Sequence, residues 1–111
     1  MTKARANVEY QVMMENFPYL QPFESGGKVG FQGYLRVKGR TYAIVVEAFA
    51  SKYPFEEPRV FLDPHPENHH WIRHFGEQSY LCYQRDNAWS PARSTFASCV
   101  AVAIRYVEAF S

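Results

Sequence analysis

The chain reads as one α+β domain spanning residues 1–111, and three features predict that class. Apolar residues recur at helical spacing near both ends. Between them lie stretches of alternating apolar and polar residues. Short connections rich in glycine and proline separate those stretches, which predicts an antiparallel meander.

Residues 4–17 predict a first helix. Ala6, Tyr10, Met13 and Phe17 form one apolar stripe, and Pro18 closes it because its ring cannot continue the helical hydrogen bonding. Residues 20–23 predict a short strand, placed at an edge by Pro22. Ser25-Gly26-Gly27 predicts a turn. Residues 31–37 alternate, with Phe31, Leu35 and Val37 on one side and Gln32, Arg36 and Lys38 on the other. Gly39-Arg40 predicts a two-residue hairpin turn, and residues 41–49 a returning strand apolar enough to be central. Tyr53-Pro54-Phe55-Glu56-Glu57-Pro58 leads into a further strand at residues 59–62. Its two prolines fix the path of the chain, and Glu56 and Glu57 are expected to be solvated.

Residues 63–88 predict a long loop that holds all four histidines, Trp71, Phe75 and Cys82. A loop of that length in a small domain is usually functional, and its aromatic content argues for order. A last helix is predicted after Ser90, as N-cap, and Pro91, at the first helical position. Phe96, Val100, Ala103, Val107 and Phe110 give it an apolar stripe that would lie across the sheet.

Composition excludes several function classes. With 47% hydrophobic and 17% aromatic residues in 111, the chain can bury a sizeable core. A net charge of +1 makes no case for nucleic acid, and no basic amphipathic segment makes one for an anionic membrane surface. No apolar run approaches the ~20 residues that span a bilayer. Lys3 and Arg5 are not followed by an apolar segment of the kind a secretory signal carries. A cytoplasmic protein with reduced thiols at Cys82 and Cys99 is the expectation.

Cys82 is the sharpest chemical candidate. It lies in a polar stretch with Gln78, Ser79, Gln84, Arg85, Asp86 and Asn87, which suits an accessible nucleophile. The bland reading is that it packs beside Leu81. Cys99 falls inside the last helix among apolar neighbours and reads as packing. His65, His69, His70 and His74 with Cys82 could form a zinc shell, but no second cysteine follows at short spacing and no acidic ligand pair is organised nearby. No metal and no cofactor is therefore expected. A papain-like Cys/His protease fits poorly, since the histidines closely precede the cysteine and the chain is short for a substrate cleft.

The order of landmarks resembles the ubiquitin-conjugating enzymes. That family carries a helix, a four-stranded meander, a Tyr-Pro-Phe-x-x-Pro segment, a loop with a Leu- or Ile-Cys nucleophile, and then Trp-Ser-Pro and a helix. Tyr53 to Pro58, Leu81-Cys82 and Trp89-Ser90-Pro91 match that order, and the resemblance covers residues 4–111. Three departures stand out. The family's His-Pro-Asn is absent: His65-Pro66 precedes Glu67, and His74 stands eight residues before Cys82, near the Asn position. Ser79 replaces a glycine, and the two C-terminal helices of eukaryotic members are missing, so the fold is truncated relative to them.

The resemblance implies a cysteine thioester. Cys82 would accept an acyl group from the C-terminus of a partner protein and pass it to an amine. His74 or Asn87 would support the oxyanion, since a neutral histidine can donate one N–H in place of an amide. A short domain of this kind is similar to bacterial members encoded in antiphage operons. In the cyclic-oligonucleotide (CBASS) systems the partner is a cGAS-like nucleotidyltransferase. A ubiquitin-like protein as donor and an activating enzyme are the other implied partners. The alternative is an adaptor on the same fold that binds a partner without thioester chemistry.

Overall fold

Helix α1 spans Lys3–Asn16 and starts at Thr2, whose side chain accepts a hydrogen bond from Arg5 N at 3.1 Å. This computed structural model describes residues 1–64, 72–75, 78–81 and 89–110. The helix ends where Phe17 N donates to Met13 O at 2.6 Å, and Pro18 follows. Its inner face differs from the expected stripe. Glu9 and Met13 are buried, while Tyr10 is 48% exposed. Arg5, Glu9 and Met13, four residues apart, line that face, so a charged pair occupies a place that periodicity assigns to apolar side chains.

The strands are β1 (Gln21–Ser25), β2 (Lys28–Val37), β3 (Arg40–Phe49), β4 (Arg59–Asp63), β5 (Ile72–Phe75) and β6 (Gln78–Leu81). They form one sheet in the order β1-β2-β3-β4-β6-β5, with antiparallel neighbours throughout. The first four make the expected meander, with β1 at the edge. Both of its tight hairpins close on two residues with positive φ, as a type I′ turn requires. These are Gly26 and Gly27 (φ 59° and 78°) and Lys38 and Gly39 (φ 52° and 77°). The second turn falls one residue earlier than expected, because Val37 pairs with Arg40.

The expected four-stranded meander is present, and two further strands extend it. β5 and β6 form a hairpin inside the stretch expected to be a loop. Each is only four residues long, too short for alternation to stand out, and β6 gains its place by pairing with β4 at Val60↔Leu81.

Helix α2 spans Phe96–Phe110 and covers one face of the sheet. Phe96, Val100, Ala103 and Val107 are fully buried with Leu35, Ile44, Val46 and Val60, so the expected stripe is the core face as far as Val107. The helix begins later than the Ser90-Pro91 signal suggests. Thr95 and Ser98 cap it reciprocally: Thr95 Oγ1 accepts from Ser98 N at 3.1 Å, and Ser98 Oγ accepts from Thr95 N at 2.8 Å. Ser90 instead opens a separate turn, accepting at its carbonyl from Ser94 N at 2.7 Å. Beneath the helix, Gly30 allows a close backbone approach: a Cβ there would stand 1.9 Å from Val46 O.

Candidate active site

Residues 82–88 lie outside the described residues, and with them Cys82 and Asn87. What is described is the frame that holds both ends of this segment. At the entry, Leu81 pairs with Val60 of β4. At the exit, Trp89 Nε1 donates to Pro54 O at 2.7 Å, and the indole packs 5.8 Å from the Tyr53 ring. Entry and exit are therefore both tied to one stretch of chain, residues 53–60. The connection from Tyr53 into β4 includes a cis peptide before Pro54.

Tyr53 is itself locked into the core. Its ring stacks on Phe96 with centroids 4.3 Å apart and planes 11° from parallel. Its hydroxyl donates to Glu9 Oε2. Glu9 is 2% exposed and satisfied on both oxygens. Oε2 also accepts from Arg5 Nε at 2.8 Å, and Oε1 accepts from Phe96 N, at the start of α2, at 2.9 Å. A carboxylate is favoured there because helix N-termini present unpaired N–H groups and a partial positive charge. Arg5 completes the knot by donating to Pro91 O at 2.7 Å and Ser94 O at 2.6 Å. So α1, the Tyr53-Pro54 corner, the turn after Trp89 and the start of α2 share one buried polar cluster.

Burial pushes the Tyr53 phenol far up, helped by its bond to Glu9, so it stays protonated. For Arg5 burial acts downward, but Tyr53 and Glu9 outweigh it and the pKa rises. Sequence reasoning missed this cluster. Its only outward sign is the spacing of Arg5 and Glu9, an ordinary surface pair by pattern.

The expected sites fall as follows. Cys99 is fully buried, and its thiol is pushed well above its usual range by burial, then by the charges of Glu9 and Glu57. That is a packing cysteine, as expected. His74 sits on β5 in register with Ser79, three residues before Cys82. His65, His69 and His70 lie outside the described residues. Among the described residues no group of three or more His, Cys, Asp or Glu is arranged to hold a metal. No helix among them is long and apolar enough to cross a membrane.

Glu56 is exposed, as expected, and sits 3.5 Å from Lys52. Glu57 departs from expectation. It is partly buried, its Oε2 has no hydrogen-bond partner among the described residues, and burial raises its pKa. It lines an open groove of about 430 Å³ with Phe55, Pro58, Arg59, Trp89 and Pro91. Phe55 is 82% exposed at this groove, the most solvent-facing of the large apolar side chains described.

No protein-family model, no curated protein and no solved structure matches this chain.

Proposed function

We propose that the protein is a ubiquitin-conjugating-enzyme-like acyl carrier with Cys82 as its nucleophile. The observation that carries this reading is the shared anchoring of Leu81 and Trp89 on residues 53–60. It holds both ends of a seven-residue segment whose first residue is a cysteine. Such a frame supports the reading, because positioning is a large part of catalysis.

The chemistry is acyl transfer. The Cys82 thiolate attacks the activated C-terminal carbonyl of a partner protein, forming the Sγ–acyl bond as the activating group leaves. An amine then attacks the thioester carbonyl, the Sγ–acyl bond breaks, and the thiolate is restored as the amine loses its proton. His74 and Asn87 are the proposed oxyanion donors, one on β5 and one two residues before the Trp89 anchor. The proposed setting is bacterial antiphage defence in the cytoplasm. There a cGAS-like nucleotidyltransferase is the donor, and an activating enzyme supplies its activated C-terminus.

The exposed Phe55 favours a second reading, a non-catalytic adaptor, because an apolar side chain standing out of a groove is a natural anchor for a partner. One experiment separates the two. The protein is incubated with the donor, activating enzyme and ATP, and the intact mass is read with and without thiol reductant. A reductant-labile adduct mapping to Cys82 supports the carrier. Partner binding that is lost in Phe55→Ala, with no adduct in the parent protein, makes it an adaptor.

A further inference from the structure

Helix α1 is turned so that Arg5 and Glu9 meet Tyr53 and the start of α2. The neighbouring flank of the helix, with Ala6 and Tyr10, stands beside β1 and β2. That flank does not fill the space next to the sheet. Ala6 brings only a methyl group, and Tyr10 is 48% exposed. An open cleft of about 320 Å³ results, within the size range of small-molecule sites. Every residue that lines it is described.

The lining is aromatic. Phe31 and Phe96 are its buried part, in edge contact with centroids 5.8 Å apart. Tyr10 and the half-buried Phe23 of β1 stand on the solvent side. The charge of the lining is one-sided. It holds no lysine or arginine, and its acidic side chains are Glu9 and Glu24. The Glu9 charge is matched by Arg5 at 2.8 Å. Glu24 is exposed on β1, and among the described residues no ion pair engages it. The Met1 ammonium, at the border of the cleft, donates to Ala50 O.

We propose that this cleft binds a small organic cation, an apolar body that carries a substituted ammonium group. Apolar area alone would admit any oily ligand of the right size. Two features select positive charge. Aromatic rings attract a cation through their electron-rich faces, more strongly where it is desolvated. The Glu24 carboxylate adds a longer-range attraction that salt screens. An anion would meet the same carboxylate as repulsion. The site is independent of the acyl-carrier reading. It lies on the β1 side of the sheet, away from the edge that carries β5.

Three soluble probes with a common phenylpropyl body test the choice of charge: phenylpropyl trimethylammonium, phenylpropanol and phenylbutyrate. Each is titrated into isotope-labelled protein, and the chemical shifts report both the site and the Kd. Shifts are expected at Ala6, Phe23 and Val29, which line the cleft. The ammonium probe should bind at least about fivefold more tightly than the alcohol, the scale of a cation beside aromatic rings near the surface. Phenylbutyrate should bind weakest. Glu24→Gln should weaken the ammonium probe by about two- to threefold and leave the alcohol unchanged, as should added salt. Ala6→Leu keeps a good helix former but fills the gap, so it should abolish binding of all three probes with the urea midpoint retained. Equal affinity for the three probes would show an apolar surface with no choice of charge and overturn the proposal. Tighter binding of phenylbutyrate, or no shifts at the cleft with millimolar ammonium probe, would overturn it as well. Should Ala6→Leu fail to fold, Phe23→Ala takes its place, and undiminished affinity for the ammonium probe in that variant would also overturn the site.

Discussion

Trp89 and Pro54 are joined by a 2.7 Å hydrogen bond from the indole N–H to the backbone carbonyl, across 35 positions of sequence. The bond ties the far end of the candidate nucleophile segment to the corner that leads into β4. Removing the N–H takes this donor away from the Pro54 carbonyl. Trp89→Phe keeps an aromatic ring against Tyr53 but deletes the donor. It should lower stability by about 1–2 kcal/mol, the range for a partly buried hydrogen bond. Urea denaturation measures it, and an unchanged midpoint with unchanged slope would show that the bond contributes nothing.

Glu9 is the centre of the polar cluster, and its neighbours make its removal more damaging than a surface carboxylate's. Glu9→Ala takes the acceptor from Arg5 Nε, the Tyr53 hydroxyl and the Phe96 N–H, and leaves the Arg5 charge without its carboxylate. A loss of about 3–5 kcal/mol is expected, the scale of breaking a buried ion pair from one side. Glu9→Gln retains an acceptor and should fall between parent and alanine. A Glu9→Ala protein with parent stability would mean that water replaces the carboxylate without penalty.

The two helices and the β2–β3 hairpin were legible because each is long enough for its period to repeat. Phe96, Val100, Ala103 and Val107 state the buried face of α2 in sequence alone. The start of α2 was misplaced because Ser90-Pro91 and Thr95-x-x-Ser98 are both sound helix openings, and only tertiary context chooses the second. Glu9 was invisible for a different reason. A buried carboxylate carries no pattern that separates it from a solvated one until its partners are in place. The aromatic and proline anchors of the candidate site could be read from sequence, but the pairings of Trp89 with Pro54 and of Leu81 with Val60 could not. β5 and β6 escaped because a four-residue strand is specified more by the edge it joins than by its own residues.

Glu57 yields a pH prediction. Burial raises its folded-state pKa above the ordinary carboxylate value, so folding favours the protonated form. Its contribution to stability is thus present below the unfolded pKa and is lost as pH rises through the folded one. At neutral pH the partly buried charge acts against the fold, and among the described residues Oε2 has no hydrogen-bond partner to offset this. Glu57→Gln should therefore be more stable than the parent at pH 7, and the gap should close as pH falls below the carboxylate range. Parallel urea titrations at pH 7 and pH 4 give both numbers. A gap that widens on acidification would reverse the sign of the argument.

The two thiols should separate cleanly in labelling. Cys99 is fully buried with a raised pKa, so it should resist a maleimide or disulfide reagent until the chain unfolds. Native protein should take up one equivalent, at Cys82, and a second only in denaturant. Cys82→Ala should abolish both native labelling and any donor adduct, whereas Cys99→Ala should preserve the adduct. Cys82→Ser should trap an oxyester, since that ester reacts more slowly with amines. An adduct that persists in Cys82→Ala would move the nucleophile elsewhere.

His74 is placed on β5 opposite Ser79, in the hairpin that leads into Cys82, and this is the position from which an oxyanion donor is proposed to act. Such a donor works mainly on the transition state, where the carbonyl oxygen carries its charge, and little on partner binding. His74→Ala should then slow formation and discharge of the thioester by about 10²–10³-fold, the scale of losing one such donor. Partner affinity should barely move. His65→Ala should be nearly silent, since His65 lies 17 positions before Cys82. Single-turnover rates for loading and discharge, read beside an equilibrium affinity, distinguish the outcomes. Equal rates for His74→Ala and the parent would pass the role to Asn87, and the corresponding Asn87→Ala rates would then decide it. Weaker binding with parent-like single-turnover chemistry would make His74 an interface residue.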